Sequence, residues 1–227
     1  MGKHRDQHPN TPPPHDPISS SPSVTVISHP LIQHNLAHLR DRRTGHEAFR
    51  RLLSQTAALM VYEVTRNFPL KEIPITTPVA RTKGKVLTKP IVLVPVLRAG
   101  LGMLDGILHL LPHAIVGHIG LFRQKKTFEA VSYYTKLPRD LGRGAVILID
   151  PMLATGNSAT SAAEMLKAHG AKQISLVCLV ASPEGLAQLH SKHPDIVVYT
   201  ASVDERLNSH AYVVPGLGDA GDRLFGT

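Results

Sequence analysis

The sequence lacks most of the features that mark secreted and membrane proteins. Its 227 residues include a single cysteine, so no intrachain disulfide can form and a reducing compartment is expected. No apolar run approaches the roughly 20 residues needed to cross a bilayer, and the first residues contain no apolar segment of the secretory type. We therefore expect a cytoplasmic protein without membrane association. Cys178 lies in an apolar run and is interpreted as a core residue rather than a nucleophile.

Motifs for metal binding and nucleophilic catalysis are scarce as well. His34 with His38 and His109 with His113 have a helical spacing that can hold zinc, but no cysteine or His-Glu-x-x-His pattern accompanies them. We interpret them as surface or interface histidines and predict no metal site built by the protein. No Ser-His-Asp or Cys-His arrangement is evident, which argues against a covalent intermediate on the protein.

The composition changes after residue 23. Residues 1–23 hold six of the 18 prolines, four serines and three histidines. Such a segment cannot bury enough apolar surface to offset the entropy lost on ordering. We therefore predict a disordered tail over 1–23 and one domain over 24–227.

The domain alternates between strand-like and helix-like segments. Before residue 91 the pattern predicts a strand at 24–27, a helix capped by Ser28 and a helix at about 45–67. It also predicts a basic hairpin at 72–89 around Lys83-Gly84-Lys85. From Ile91 onward strands and helices alternate, which predicts an α/β fold with a mostly parallel central sheet and helices on both faces. The basic hairpin and an N-terminal helical segment are added to it.

The most informative segment is Val146-Ile147-Leu148-Ile149-Asp150-Pro151-Met152-Leu153-Ala154-Thr155-Gly156-Asn157-Ser158. Its branched apolar residues predict a buried strand that ends at Asp150. Asn157 and Ser158 are good N-cap residues for a following helix. A carboxylate beside a helix N-terminus suits a phosphorylated sugar, because the acid can accept sugar hydroxyls and the exposed N–H groups can bind a phosphate.

Three further segments follow the same order as in a known family. They are Val96-Leu97-Arg98-Ala99-Gly100-Leu101-Gly102-Met103, Gly120-Leu121-Phe122-Arg123 and the run from Pro215 to Thr227. Together with the segment at 150–158 they resemble the motifs of type I phosphoribosyltransferases. Pro151, where most of that superfamily has a second acid, resembles the uracil phosphoribosyltransferase family in particular. The resemblance extends from about Ser28 to Thr227.

The resemblance implies an enzyme of pyrimidine salvage that transfers ribose 5-phosphate from 5-phosphoribosyl 1-pyrophosphate (PRPP) to uracil, giving UMP and pyrophosphate. Arg98 and Arg123 would bind the pyrophosphate, since a guanidinium fork pairs with phosphate oxygens. Asp150 would accept the ribose hydroxyls, and Asp219 would lie beside the PRPP site. The expected catalytic residues are Arg98, Arg123, Asp150 and Asp219. The expected PRPP-binding residues are Arg98, Arg123, Asp150, Pro151, Met152, Leu153, Ala154, Thr155, Gly156, Asn157, Ser158 and Asp219.

The last motif is expected to recognise the base. In the family it does so largely through backbone groups, and the matching uracil-binding positions here are Val213, Gly218, Asp219 and Ala220. Mg²⁺ is the expected cofactor, carried with PRPP and bound mainly by PRPP oxygens. The resemblance also implies a homodimer or homotetramer and suggests GTP as an effector. The sequence itself leaves the oligomeric order and nucleotide regulation open.

The formal charge of +8 comes from the domain, with basic clusters at 71–89 and 123–143. A positive field steers a polyanionic substrate such as PRPP. Nucleic acid is the competing explanation for a basic domain, but no RNA-binding motif is visible and nucleic acid is not expected.

The family usually has acidic residues between the Arg and Thr of the third motif, whereas this chain reads Arg123-Gln124-Lys125-Lys126-Thr127. This segment resembles a loop that covers the site, and the effect of Lys125 and Lys126 on it stays open.

Two alternatives remain at this stage. One is a phosphoribosyltransferase for guanine or hypoxanthine, although such enzymes usually carry paired acids where this chain has Asp150-Pro151. The other is a phosphoribosyltransferase-like regulator that binds nucleotide or RNA without physiological catalysis. Arg98, Asp150 and the last motif argue against the loss of catalysis.

Overall fold

The computed structural model describes residues 24–123 and 130–227, apart from the side chains of Arg123 and Ala130. Two predictions lie outside the described residues: the tail at 1–23, and the covering loop with Lys125 and Lys126. Within the described part of the chain, no helix combines the length and the apolarity needed to cross a membrane.

The helices and strands follow one another much as the pattern predicts. The helices are α1 (Pro30–Arg40), α2 (His46–Val64), α3 (Leu101–Leu110), α4 (Asn157–Ala168), α5 (Pro183–Lys192) and α6 (Ala220–Phe225). The strands are β1 (Val24–Val26), β2 (Leu70–Thr76), β3 (Arg81–Leu87), β4 (Ile91–Leu97), β5 (Ile115–Val116), β6 (His118–Arg123), β7 (Ala130–Lys136), β8 (Ala145–Ile149), β9 (Met152–Leu153), β10 (Ile174–Ala181), β11 (Val197–Val203), β12 (Arg206–Leu207) and β13 (Val213–Val214).

Nine strands of the described residues form the central sheet, in the order β1-β11-β10-β8-β4-β6-β7, with β5 beside β4 and β9 beside β10. Every pair in this sheet is parallel except β6 with β7. The β2–β3 hairpin and the β12–β13 pair lie outside it. The predicted mostly parallel α/β sheet is therefore confirmed.

Each face of the sheet carries its own core, because successive side chains of a strand point to opposite faces. In β4, Ile91 and Leu93 belong to a core with α1, α2, α3 and α6, whereas Val92 and Val94 belong to a core with α4 and α5. Burial on both faces explains the continuous apolar runs. Cys178 lies in the second core, where burial raises the pKa of its thiol to about 12. Its interpretation as a core residue is confirmed.

Two helices begin at residues other than the predicted caps. His29, not Ser28, caps α1, and its Nδ1 accepts a hydrogen bond from the Leu31 N–H at 3.2 Å. Gly156 occupies the N-cap position of α4, so Asn157 is already helical. Residue preferences for the N-cap position were misleading at both helices. At α1, an imidazole nitrogen accepts the backbone N–H as a side-chain oxygen would. At α4, the sharp turn into the helix favours glycine over a residue with a capping side chain.

The basic hairpin is present, but its turn is not at Lys83-Gly84-Lys85. The turn lies at 77–80, where the Thr77 N–H donates to the Ala80 carbonyl at 2.9 Å. Pro78 presets the backbone for such a turn, and Lys83-Gly84-Lys85 lies in the middle of β3.

Candidate active site

The chain changes direction across the sheet between β4 and β8. After β4 it continues to β6 and β7 on one side, and it then returns to β8, β10 and β11 on the other. In open α/β sheets, ligands bind beyond the carboxyl ends of the strands at such a switch point. Arg98 directly follows β4 and Asp150 directly follows β8. The topology therefore brings these two predicted site residues to the same edge of the sheet.

The loop between β8 and α4 is fastened to β10 and α5 by its own backbone. The Pro151 carbonyl accepts from the Leu179 N–H at 3.0 Å, and the Leu153 carbonyl accepts from the Ser182 N–H at 2.9 Å. The Ser182 hydroxyl donates to the Ala154 carbonyl at 2.6 Å. Pro151 and Leu153 are buried and help to fix the loop through these bonds, and their contact with PRPP stays a prediction. Ser182 was not among the predicted site residues. In the sequence, Ser182-Pro183 is typical of the start of a helix, and it does not indicate a contact with this loop.

Gly156 turns this loop into α4. Its φ of 79° lies in the left-handed region, and a Cβ there would lie 2.6 Å from the Gly185 carbonyl oxygen. A Cβ on Gly185 would lie 2.3 Å from the Ala154 carbonyl oxygen. The loop and the first turn of α5 are thus in direct backbone contact. The positive end of the α4 dipole lies where a phosphate is predicted.

The loop between β13 and α6 forms a second wall. Leu217, Ala220 and Leu224 are buried in the core with α2 and α3, so this wall is fixed from behind. Gly218 has a φ of 79°. The Asp219 carboxylate caps α6 by accepting an N–H of its first turn at 2.9 Å.

The two walls enclose a cavity of about 290 Å³. Four of the predicted PRPP-binding residues line it, namely Asp150, Met152, Ala154 and Asp219. All four predicted uracil-binding positions line it too, namely Val213, Gly218, Asp219 and Ala220. The structure therefore brings residues of two separate motifs into one cavity. Thr155, Gly156, Asn157 and Ser158 continue the first wall into α4.

Five residues that were not predicted also line the cavity, namely Ala99, His210, Ala211, Tyr212 and Gly221. Asn208 holds the turn at 210–212, since its Oδ1 accepts from the N–H groups of His210 at 2.9 Å and Tyr212 at 3.0 Å. Ala211 has a φ of 61°. An asparagine that bonds backbone two residues ahead is a turn signal, but nothing in the sequence places this turn against the cavity.

Arg98 lies beside the cavity rather than in its lining. Its Nη2 is 3.7 Å from Asp222 Oδ1, and its guanidinium lies 5.5 Å from the centre of the Phe225 ring. The peptide bond before Arg98 is cis. The side chain is 59% exposed, so its charge is accessible to an anion. Arg123 ends β6, and its side chain lies outside the described residues.

Asp150 has few partners for its charge. Burial raises the pKa of Asp150 to about 7, a hydrogen bond from the Met152 N–H at 3.4 Å opposes the rise, and the charge of Asp219 adds to it. The carboxylate therefore has acceptor capacity left towards the cavity. Hydroxyl groups or a cation brought by a ligand would stabilise its ionised form.

We expect Asp150 to make the free protein less stable as the pH rises from 5 to 8. The unfolded chain releases this proton near pH 3.8, whereas the folded protein keeps it until about pH 7, so the free energy of unfolding falls in this window, by about 2–3 kcal/mol. Asp150→Asn cannot ionise and should lack this part of the fall. Urea denaturation of both proteins at pH 5 and pH 8 measures it. The same pH dependence in both proteins would contradict the assignment.

The described residues contain no group of three or more His, Cys, Asp or Glu side chains placed to hold a metal ion. Asp150 and Asp219 both line the cavity, and the charge of Asp219 raises the pKa of Asp150. Two mutually repelling carboxylates suit a ligand that brings its own cation. They do not provide the six or so oxygen ligands of a protein-built magnesium site.

Comparisons with known proteins agree with this geometry. A family model described as uracil phosphoribosyltransferase matches residues 26–227. The chain is 58% identical over 205 residues to the uracil phosphoribosyltransferase of Clostridium perfringens (strain SM101 / Type A), covering 90% of this chain and 98% of the relative. It is 56% identical over 205 residues to that of Dictyoglomus thermophilum, covering 90% and 99%. Among solved structures it resembles the AQ2163 protein from Aquifex aeolicus, with a TM-score of 0.86 and 37% identity over 90% of this chain and 98% of the other. The residues that the family model matches include both walls of the cavity.

Proposed function

The chain belongs to the uracil phosphoribosyltransferase family, and from this membership we propose how its cavity is divided between two substrates. The protein transfers ribose 5-phosphate from PRPP to uracil, giving UMP and pyrophosphate. We propose that the loop between β8 and α4 binds PRPP, and that the loop between β13 and α6 binds uracil. The observation that supports this division is that Asp150 and Gly218, from these two loops, line the same cavity.

The reaction forms a bond from uracil N1 to the anomeric carbon and breaks the bond from that carbon to pyrophosphate, while the N1 proton is released to solvent. Positive charge develops on the ribose and negative charge on the leaving group. Arg98 and Arg123 are proposed to stabilise the pyrophosphate, because preorganised cations act where negative charge grows. Asp150 is proposed to accept the ribose hydroxyls and to stabilise the positive ring. The backbone at 154–158 is proposed to hold the 5-phosphate at the start of α4.

The division of the cavity also orients the reactants. Holding uracil on one wall and the sugar on the other converts an encounter of two molecules into a reaction within one complex. Mg²⁺ would enter with PRPP, near Asp150 and Asp219, and when bound it neutralises charge on the pyrophosphate. The protein's own contribution is to fix the sugar, the phosphate and the base in line.

The assembly, regulation and location of the protein stay proposals. A homodimer or homotetramer is supported by apolar side chains that lie exposed around the base of the hairpin and the end of α3, namely Leu70, Val86, Leu87, Leu110 and Ile115. GTP as an effector and a cytoplasmic location stay predictions from the family resemblance and the single cysteine.

The function is tested by incubating the protein with PRPP, Mg²⁺ and a panel of bases and identifying the nucleotide formed. We expect UMP from uracil and negligible product from orotate or purines. Asp150→Asn is the matched variant, since it keeps the size of the side chain and removes its charge; we expect it to slow UMP formation. Product from hypoxanthine or guanine in place of UMP would favour a purine enzyme. RNA binding in a gel shift without any nucleotide product would favour the regulator.

A further inference from the structure

The segment from Pro215 to Asp219, called here the base loop, is held by a side chain from the other end of the chain. Arg40 is the last residue of α1. Its Nη1 donates to the Gly216 carbonyl at 2.7 Å and to Asp204 Oδ2 at 2.7 Å, and its Nη2 donates to Asp204 Oδ1 at 2.6 Å. One guanidinium therefore bonds both oxygens of a carboxylate and the backbone of the base loop at once.

Asp204 completes this clamp from the end of β11. Its side chain is only 2% exposed, and its Oδ2 also accepts the Gly216 N–H at 2.9 Å. Its Oδ1 accepts the Ser202 hydroxyl at 2.7 Å. Burial opposes ionisation, but the bonds from Arg40, Ser202 and Gly216 together hold the pKa of Asp204 below its ordinary value. Both backbone groups of Gly216 are thus bonded to one charged pair.

Arg223 of α6 holds the next residue of the base loop in a similar way. Its guanidinium donates to the Leu217 carbonyl at 2.9 Å and to the Asp41 carbonyl at 2.7 Å, and also to the Leu39 carbonyl. It packs over the Phe49 ring at 4.5 Å from the ring centre. The carbonyl groups at the end of a helix have no partner within the helix, so Arg223 uses the end of α1 as its anchor.

These contacts act next to the residues that face the base. Gly216 and Leu217 directly precede Gly218, which lines the cavity, whereas Arg40 and Asp204 are not among the described residues that line it. We propose that Arg40 and Asp204 are positioning residues for uracil: the end of α1 sets the place of the base loop and thereby the affinity for the base. This inference rests on the proposed division of the cavity and adds to it two residues that no motif contains.

The test compares Michaelis constants for the two substrates in Arg40→Met, Arg40→Lys and the wild-type protein. In Arg40→Met the KM for uracil should rise roughly 10- to 100-fold, since small displacements of a positioning group have effects of this size, while the KM for PRPP changes less than about threefold. Arg40→Lys keeps a cation against Asp204 but cannot make all three bonds, so its KM for uracil should rise less than in Arg40→Met but at least about threefold.

Lys167→Met is the matched control, because it removes another short ion pair, from Lys167 to Asp195 at 2.6 Å, that lies away from the base loop. Its two KM values should equal those of the wild type. Equal rises in both KM values for the Arg40 variants, or a wild-type KM for uracil in either of them, would overturn the positioning role. If Arg40→Met does not fold, Arg40→Lys decides the question alone. Absence of UMP with the wild-type protein would instead refute the proposed function.

Discussion

Cytosine should react with PRPP with a kcat/KM about 10⁴-fold below that of uracil, because a site built around hydrogen bonds rejects a base that leaves its groups unpaired. Uracil presents an acceptor at O4, a donor at N3 and an acceptor at O2, and cytosine reverses the first two. Gly218 can offer only backbone groups to the base, and a backbone donor cannot become an acceptor. Rates of UMP and CMP formation measure the ratio. Comparable rates would refute the uracil-binding assignment.

Gly218→Val extends this prediction to the cavity wall. A side chain there would have to adopt a φ of 79° and would project beside Arg223, with its Cβ 3.5 Å from Cδ. Gly170→Val is the matched control, since Gly170 has a φ of 90° and open space around it. Both variants carry similar backbone strain, about 1–3 kcal/mol, so a difference in activity between them reflects the position of the residue. Because, of these two glycines, only Gly218 lines the cavity, only Gly218→Val should lose the use of uracil. Equal activity in both would place the base elsewhere.

Arg98→Ala should lower kcat/KM for PRPP by roughly 10- to 100-fold or more, because each lost charge-assisted hydrogen bond contributes about 1.5–3 kcal/mol. Thermal stability should hardly change. The guanidinium is 59% exposed and 3.7 Å from Asp222, and exposed pairs of this kind contribute little. Steady-state kinetics at limiting and saturating PRPP, together with thermal melts, measure both effects.

The control for Arg98→Ala is Arg66→Ala, which removes another exposed arginine from an ion pair, with Glu63 at 2.6 Å. Its side chain is 56% exposed, and neither a motif nor a basic cluster includes it. We expect wild-type kinetics for Arg66→Ala. Wild-type kinetics for Arg98→Ala would show that the pyrophosphate does not use this residue.

The sheet and much of the cavity could be predicted because their signals are local. A strand buried on both faces, such as Ile91–Leu97 in β4, reads as a continuous apolar run. Asp150 is recognisable because it ends such a run. In a sheet of parallel strands with intervening helices, the carboxyl ends of the strands meet at one edge, so the residues that follow the strands come together there. The roles of Arg98, Asp150 and Asp219 nevertheless stay predictions until the variants are measured.

The parts that could not be predicted depend on contacts between distant segments. α6 has only six residues, one of them Gly221, so its own sequence favours a helix only weakly. Burial of Leu224 against α2 and α3 stabilises it instead. Arg40 and Asp204 are 164 residues apart, so neither carries a local signal of its partner. β9 and β12 have two residues each, which is too short for an alternating pattern to appear.

The two walls of the cavity share one of the two cores of the sheet. The loop after β8 packs through Leu153 into the core with α4 and α5, whereas the base loop packs through Leu217 into the opposite core. Met152, which directly precedes Leu153 and lines the cavity, packs against the same core as Leu217. A single substitution in that core can therefore disturb the handling of both substrates at once.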